Sequence, residues 1–201
     1  NNGNFNFSQA RPQGDDIRFS TGVGVPLSYQ IGQWDSTNGA ASVWVRIPSI
    51  TGNTAQEIKM YWGKPDAASE SSGAAVFNAG NGCVSVIHLN ETLKDEAGSV
   101  TPVDAGTTLS TGIIGKGRHI TLGTGINCGD SVTNYPYANN PFTTEAWFRP
   151  ELGGTYVVYW GRYPVRYTGN DGGNEVFINV GSGSPPTLGW SGDGGGGAGA
   201  A

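Results

Sequence analysis

Hydrophobic and polar positions alternate with a period of two through much of the chain. In "DDIRFS" Ile17 and Phe19 fall on one side and Arg18 on the other. "PLSYQIGQWD" continues the alternation with Leu27, Tyr29 and Ile31, and "ASVWVRIP" sets Val43, Val45 and Ile47 against Trp44 and Arg46. "QEIKMYWG" brings Ile58, Met60 and Trp62 together. Clusters of Gly, Pro, Asn and Ser separate these runs, as turns require. The pattern predicts four or five strands before residue 78, folded as a small antiparallel β-sandwich. "ASESSGAA", from Ala68 to Ala75, could form a short helix or a loop and is read as a loop, and a seam is expected between Val76 and Gly82. Strands are then expected at "CVSVIHLN", "GRHITLG", "FTTEAWFRP", "TYVVYWG", "NEVFINV" and "PTLGW". Trp62 and Trp147 are assigned to two cores, and Trp44 to a sheet face or an interdomain contact.

Composition narrows the class. Charged residues make up 13% of the 201 positions, about half the usual ~25%, and there are 34 glycines. Such a chain reads as an exported β-protein with many turns. The net charge of -5 and the lack of a basic patch argue against nucleic acid or an anionic membrane as the main partner. No run reaches the ~20 apolar residues of a membrane-spanning helix. Cys83 and Cys128 are the only cysteines. They form either one disulfide or two buried thiols. With His88 and His119 they lack the short spacings of a zinc site.

Two stretches carry resemblances to known families. "FNFSQARPQGDDIRF", "VPLSYQIGQWD", "ASVWVRIPSI", "EIKMYWGKPDAAS" and "GAAVF", over residues 5 to 77, resemble in order the bacterial exported-protein family called domain of unknown function 2341. "VSVIHLNE", "GIIGKGRHITLGTGINCGD" and "FTTEAWFRPE" resemble the opening half of a laminin-G-like, concanavalin A-type jelly roll, with Glu145 to Pro150 as a core strand. The resemblances imply an all-β protein of two tandem antiparallel β-sandwich domains, 1–77 and 78–201, the second an incomplete concanavalin A-like jelly roll. The later strands of that jelly roll have no counterpart here, so "SGDGGGGAGAA" is expected to fall where a further strand begins. Members of the second fold bind carbohydrates or proteins, act as spacers, or hydrolyse polysaccharides, so the fold alone does not choose a function.

Catalytic constellations are not evident in the sequence. A glycosidase needs two carboxylates across one groove. Glu145 is followed by Ala-Trp-Phe and Glu175 by Val-Phe-Ile, while Glu91, Asp95 and Glu96 fall in an expected turn. No G-x-S-x-G elbow accompanies the two histidines. His88 is read as a hydrogen-bonded residue at the margin of a sheet and His119 as an exposed strand residue. No enzyme and no obligatory cofactor are expected.

Binding chemistry is more visible. Sugars stack their apolar faces on flat aromatics ordered beside amides and carboxylates. Trp160, Arg162, Tyr163, Tyr167, Asn170, Asp171 and Trp190 are the candidates, with Trp34 as a further turn-borne aromatic. A hairpin in which Tyr and Arg stack on the sheet surface is the alternative. Glu91, Asp95, Asn127 and Asp130 offer some of the oxygens of a structural calcium ion, with ordinary turn capping as the alternative. The expected function is a non-catalytic extracellular or cell-surface structural and adhesive protein. Its expected partners are glycans, other surface proteins or further copies joined through exposed β-edges. The alternatives are a carbohydrate-binding accessory module of a larger polysaccharide-processing protein, and a glycosidase whose carboxylates lie beyond Ala201.

Overall fold

The computed structural model describes residues 5–121, 123–128, 143 and 145–149, together with the backbone of four later strands between residues 156 and 200. Its described residues are all-β with antiparallel pairing, and among them is one short α-helix. Backbone contacts divide it into two units, Asn1–Gly129 and Asp130–Ala201.

In the first unit β1 (Arg18–Thr21) lies between β2 (Pro26–Leu27) and β5 (Ile58–Tyr61). The register places Phe19 beside both Leu27 and Met60, so the alternation read in the sequence becomes one apolar face. β3 (Tyr29–Asp35) and β4 (Ala40–Val45) form a hairpin with an irregularity between Ile31 and Gln33. Asp35 closes its turn by accepting the Asn38 N–H at 2.9 Å, as turn aspartates do. The helix α1 (Gly73–Val76) follows, capped by Ser72, whose hydroxyl accepts the Ala75 N–H. This corrects the loop reading for its last residues: a Ser cap ahead of Gly-Ala-Ala-Val suffices for one turn.

Further along, β6 (Val103–Ala105) pairs with β9 (Gly125–Asn127), and β7 (Thr108–Thr111) with β8 (Lys116–His119). Two expected strands do not appear among the described residues. "CVSVIHLN" keeps only an isolated bridge between Ile87 and Asp95. Leu89 takes a left-handed φ of 59°, and the Val86 N–H goes to the Asp95 carboxylate, so no extended ladder continues there. Glu145–Arg149 also lies outside any strand, and Trp147 is 81% exposed where a core position was expected. An alternating run needs a ladder partner to become a strand, and this one has none among the described residues.

Ile17, Leu27, Tyr29, Ala67 and Val76 are the buried apolar side chains among the described residues. Each large one contributes about 1.5–3 kcal/mol. Asp16, Ser20, Gln30, Asp95 and Thr107 are buried beside them, so hydrogen-bonded polar groups share the work of defining this fold.

The second unit contains β10 (Tyr156–Gly161), β11 (Glu175–Val180), β12 (Thr187–Ser191) and β13 (Ala198–Ala200) in that spatial order. Its register aligns Trp160, Val176, Trp190 and Ala198 across the sheet, and Val158, Ile178, Leu188 and Ala200 beside them. The Gly/Ala tail supplies β13, at the place where a further strand was expected.

Candidate functional site

Arg18 and Tyr61 sit side by side in the β1–β5 register. Arg18 acts as a clamp, because a guanidinium carries five donors in a fixed fork. Nη1 donates to the carbonyls of Asp15 (2.9 Å) and Ile17 (2.6 Å) and to the Tyr29 hydroxyl (3.2 Å). Nη2 donates to the Ala68 carbonyl at 2.7 Å, and Nε pairs with Glu70 at 3.0 Å. Arg11 repeats the device, with Nη1 on the carbonyls of Pro65 (2.8 Å) and Ala67 (3.1 Å). Two arginines thus pin the 64–70 loop to the sheet.

Asp16 anchors the floor. Its carboxylate accepts the Arg11 N–H at 2.8 Å and the Gly63 N–H at 2.6 Å. Burial pushes the Asp16 pKa up, but the hydrogen bonds from Arg11 and Gly63 and the Arg11 charge outweigh it, and the net pKa is lowered. Burial raises the Tyr29 pKa despite the charge of Arg18, which keeps the hydroxyl protonated.

These elements enclose a groove of about 420 Å³ beside β1 and β5. Tyr61, 49% exposed, forms one side, and its hydroxyl lies 3.2 Å from Ser20 Oγ. Trp62 adjoins it, half-buried and edge-on to Phe5 at 5.1 Å. Lys64, Asp66 and Glu70 also line it, the first two without a side-chain partner among the described residues. An exposed aromatic ring therefore shares the groove with hydrogen-bonding side chains on a loop whose backbone is pinned by Arg11 and Arg18.

Residues 13–85 match the family model described as a domain of unknown function (DUF2341). Every residue lining the groove lies within that DUF2341 segment. No curated protein and no solved structure matches the chain. The segment runs on past Phe77 into the stretch after α1, and the first unit continues well beyond it to Gly129.

The residues singled out in the sequence are placed differently. Arg162, Tyr163, Tyr167, Asn170, Asp171 and Asp130 lie outside the described residues. The backbones of Trp160 and Trp190 flank Val176 on neighbouring strands. Trp34, in the DUF2341 segment, is not an open platform: Phe5 and Phe7 meet its ring edge-on at 5.9 and 5.0 Å, and its buried Nε1 has no acceptor among the described residues.

Asp95 is 4% exposed and has its oxygens taken up internally. Oδ1 accepts from Val86 (2.8 Å) and Ala97 (3.0 Å), Oδ2 from Ser99 (2.8 Å) and Val100 (3.0 Å). Glu91 is exposed and Asn127 lies in β9. No cluster of three or more His, Cys, Asp or Glu suited to a metal ion occurs among the described residues. Cys83 and Cys128 are free thiols, and burial followed by the Asp95 charge pushes the Cys128 pKa up. The sequence reading missed Tyr61, Lys64, Asp66 and Glu70. Their signal was the polar "KPDAASE" directly after an aromatic pair, which resembled an ordinary turn.

Proposed function

We propose that this is a non-catalytic, exported adhesive protein of the bacterial cell surface whose DUF2341 segment binds carbohydrate in the groove beside Tyr61. The observation that carries the reading is the pairing of an exposed aromatic ring with a wall held by Arg11 and Arg18. A pyranose lays its C–H face on Tyr61 and directs hydroxyls to Lys64, Asp66 and Glu70. The loop is already fixed, so little ordering entropy opposes binding. Asp16, Asp95 and Asp104 are committed as acceptors, which favours a recognition role over an acid–base one. In the same reading the chain joins a small β-sandwich to the opening strands of a laminin-G-like jelly roll.

A glycan array followed by calorimetry on the best ligand tests this. Tyr61→Ala and Asp66→Ala are each expected to weaken binding about tenfold, equivalent to ~1.4 kcal/mol. No affinity for any saccharide overturns the reading. A second reading, assembly by strand addition, is favoured by β5, which among the described residues pairs with β1 on one side only and exposes Ile58 on its flank. Sedimentation velocity decides it: concentration-dependent growth supports assembly, and a monomer at all concentrations rejects it.

A further inference from the structure

The three-stranded sheet of the first unit has two edges, β2 and β5, and they differ in what they offer a further strand. The Gly22 N–H donates to the Glu57 carbonyl at 2.9 Å, which extends the β1–β5 ladder by one residue and sets its parity. In an antiparallel ladder the backbone groups of successive residues point to opposite sides. Glu57, Lys59 and Tyr61 therefore turn theirs to β1, and Ile58 and Met60 turn theirs to the open edge. No other element, among the described residues, reaches the N–H or carbonyl of Ile58 or Met60.

The β2 edge is closed by its sequence. The Thr21 N–H donates to the Val25 carbonyl at 2.9 Å, so by the same parity Pro26 faces outward, and a proline nitrogen has no hydrogen to give. Ser28, the next outward residue, already gives its carbonyl to the Arg46 N–H at 2.9 Å. A β5 edge cannot then add to β2 of the next copy and grow a chain. It can pair with itself about a two-fold axis, which closes.

Side chains choose the register. Outward residues must meet outward residues, so the axis falls on a residue of β5. Centred on Lys59, the pair would set two ammonium groups directly opposite each other. Centred on Met60, it matches Glu57 with Gly63 and Lys59 with Tyr61, and no charge finds its opposite. Centred on Ile58, it sets Glu57 against Lys59 of the second copy, twice, and covers Ile58, which is 42% exposed, with its counterpart. Glu57 and Lys59 share one face of the sheet, beside Gly22. Lys59 Nζ donates to the Gly22 carbonyl at 2.6 Å and keeps two further N–H groups.

We propose that two copies of the chain pair antiparallel through β5, centred on Ile58, and join two three-stranded sheets into one of six strands. This rests on the strand-addition reading and gives it an edge, a partner and an end point: a closed dimer in place of a filament. The two Tyr61 rings then lie on one face, about 20 Å apart along the strands, so both grooves open the same way.

Hydrogen exchange and sedimentation velocity of the full chain test it. The shared edge is short against a standard interface, so the concentration series runs to about 1 mM. Protection of the Ile58 and Met60 amides should rise about tenfold across it, while Lys59 and Tyr61, bonded to β1 in either state, stay unchanged. Glu57→Lys and Lys59→Glu should each weaken dimerisation about tenfold, and the double variant should restore it. A monomer at every concentration, with unchanged exchange, overturns both the dimer and the strand-addition reading. Growth beyond a dimer, protection that rises elsewhere but not at Ile58 and Met60, or a double variant no tighter than the single ones overturns the two-fold pairing and leaves strand addition standing.

Discussion

Asp16 shows how a single side chain fixes a local fold. It is 3% exposed and bridges Arg11 and Gly63, residues 52 positions apart, through two backbone N–H groups. Asp16→Ala would leave both donors without a protein partner, at a cost of about 2–4 kcal/mol. Denaturant titration at pH 7 measures this. Because the folded pKa of Asp16 is lowered from 3.8, its contribution is present above that value and lost as pH falls through the folded one. Asp16→Asn should therefore lose less stability than the wild type between pH 5 and 2. Gly14 makes a second demand. Its φ is +73°, and a Cβ would stand 2.8 Å from the Trp34 ring. Gly14→Ala should cost about 1–3 kcal/mol from backbone strain alone and shift the fluorescence of Trp34, whose ring must move.

At the scale of elements, strands and loops differ in how they were encoded. β1, β3, β4 and β5 follow from local alternation, and β10, β11 and β12 from short aromatic and β-branched runs. The 64–70 loop follows from nothing local. Its shape depends on Arg18, whose partner Ala68 lies 50 positions away, and on Arg11, whose partner Ala67 lies 56 away. Such pairings are invisible to a periodicity argument, and the groove was missed for that reason. The failure at "CVSVIHLN" is of the same kind: Asp95 captures the Val86 amide from nine positions away. Arg18→Lys isolates the loop's support, since lysine keeps the charge and loses the fork. Proteolysis within residues 64–70 should rise and stability should fall by roughly 1–3 kcal/mol. Unchanged cleavage would mean that Arg11 alone suffices.

For the whole molecule the open question is where one cooperative body ends. The DUF2341 match stops at residue 85, yet the compact unit runs to Gly129. The difference has a physical basis in side chains that cross the boundary. His88 covers Trp44 and Phe77, and Glu96 lies against Gly73 in the helix. Beyond the boundary Arg118, with its side chain 8% exposed, ties that stretch to itself through the Asn90 carbonyl at 2.7 Å and Asp104 at 2.8 Å. The family segment is thus completed by residues outside it. A fragment of residues 1–129 should unfold in one cooperative transition with coincident fluorescence and circular dichroism curves. A fragment of residues 1–85 would expose Trp44 and Phe77 and lose the His88–Gln30 bond. Each kcal/mol lost in a chain this short lowers the midpoint by about 4–8 °C. The shorter fragment should therefore melt several degrees lower and bind a hydrophobic dye that the longer one ignores. Equal melting points would place the cooperative boundary at the end of the family segment, and the residues from 86 onward would then be passengers on it.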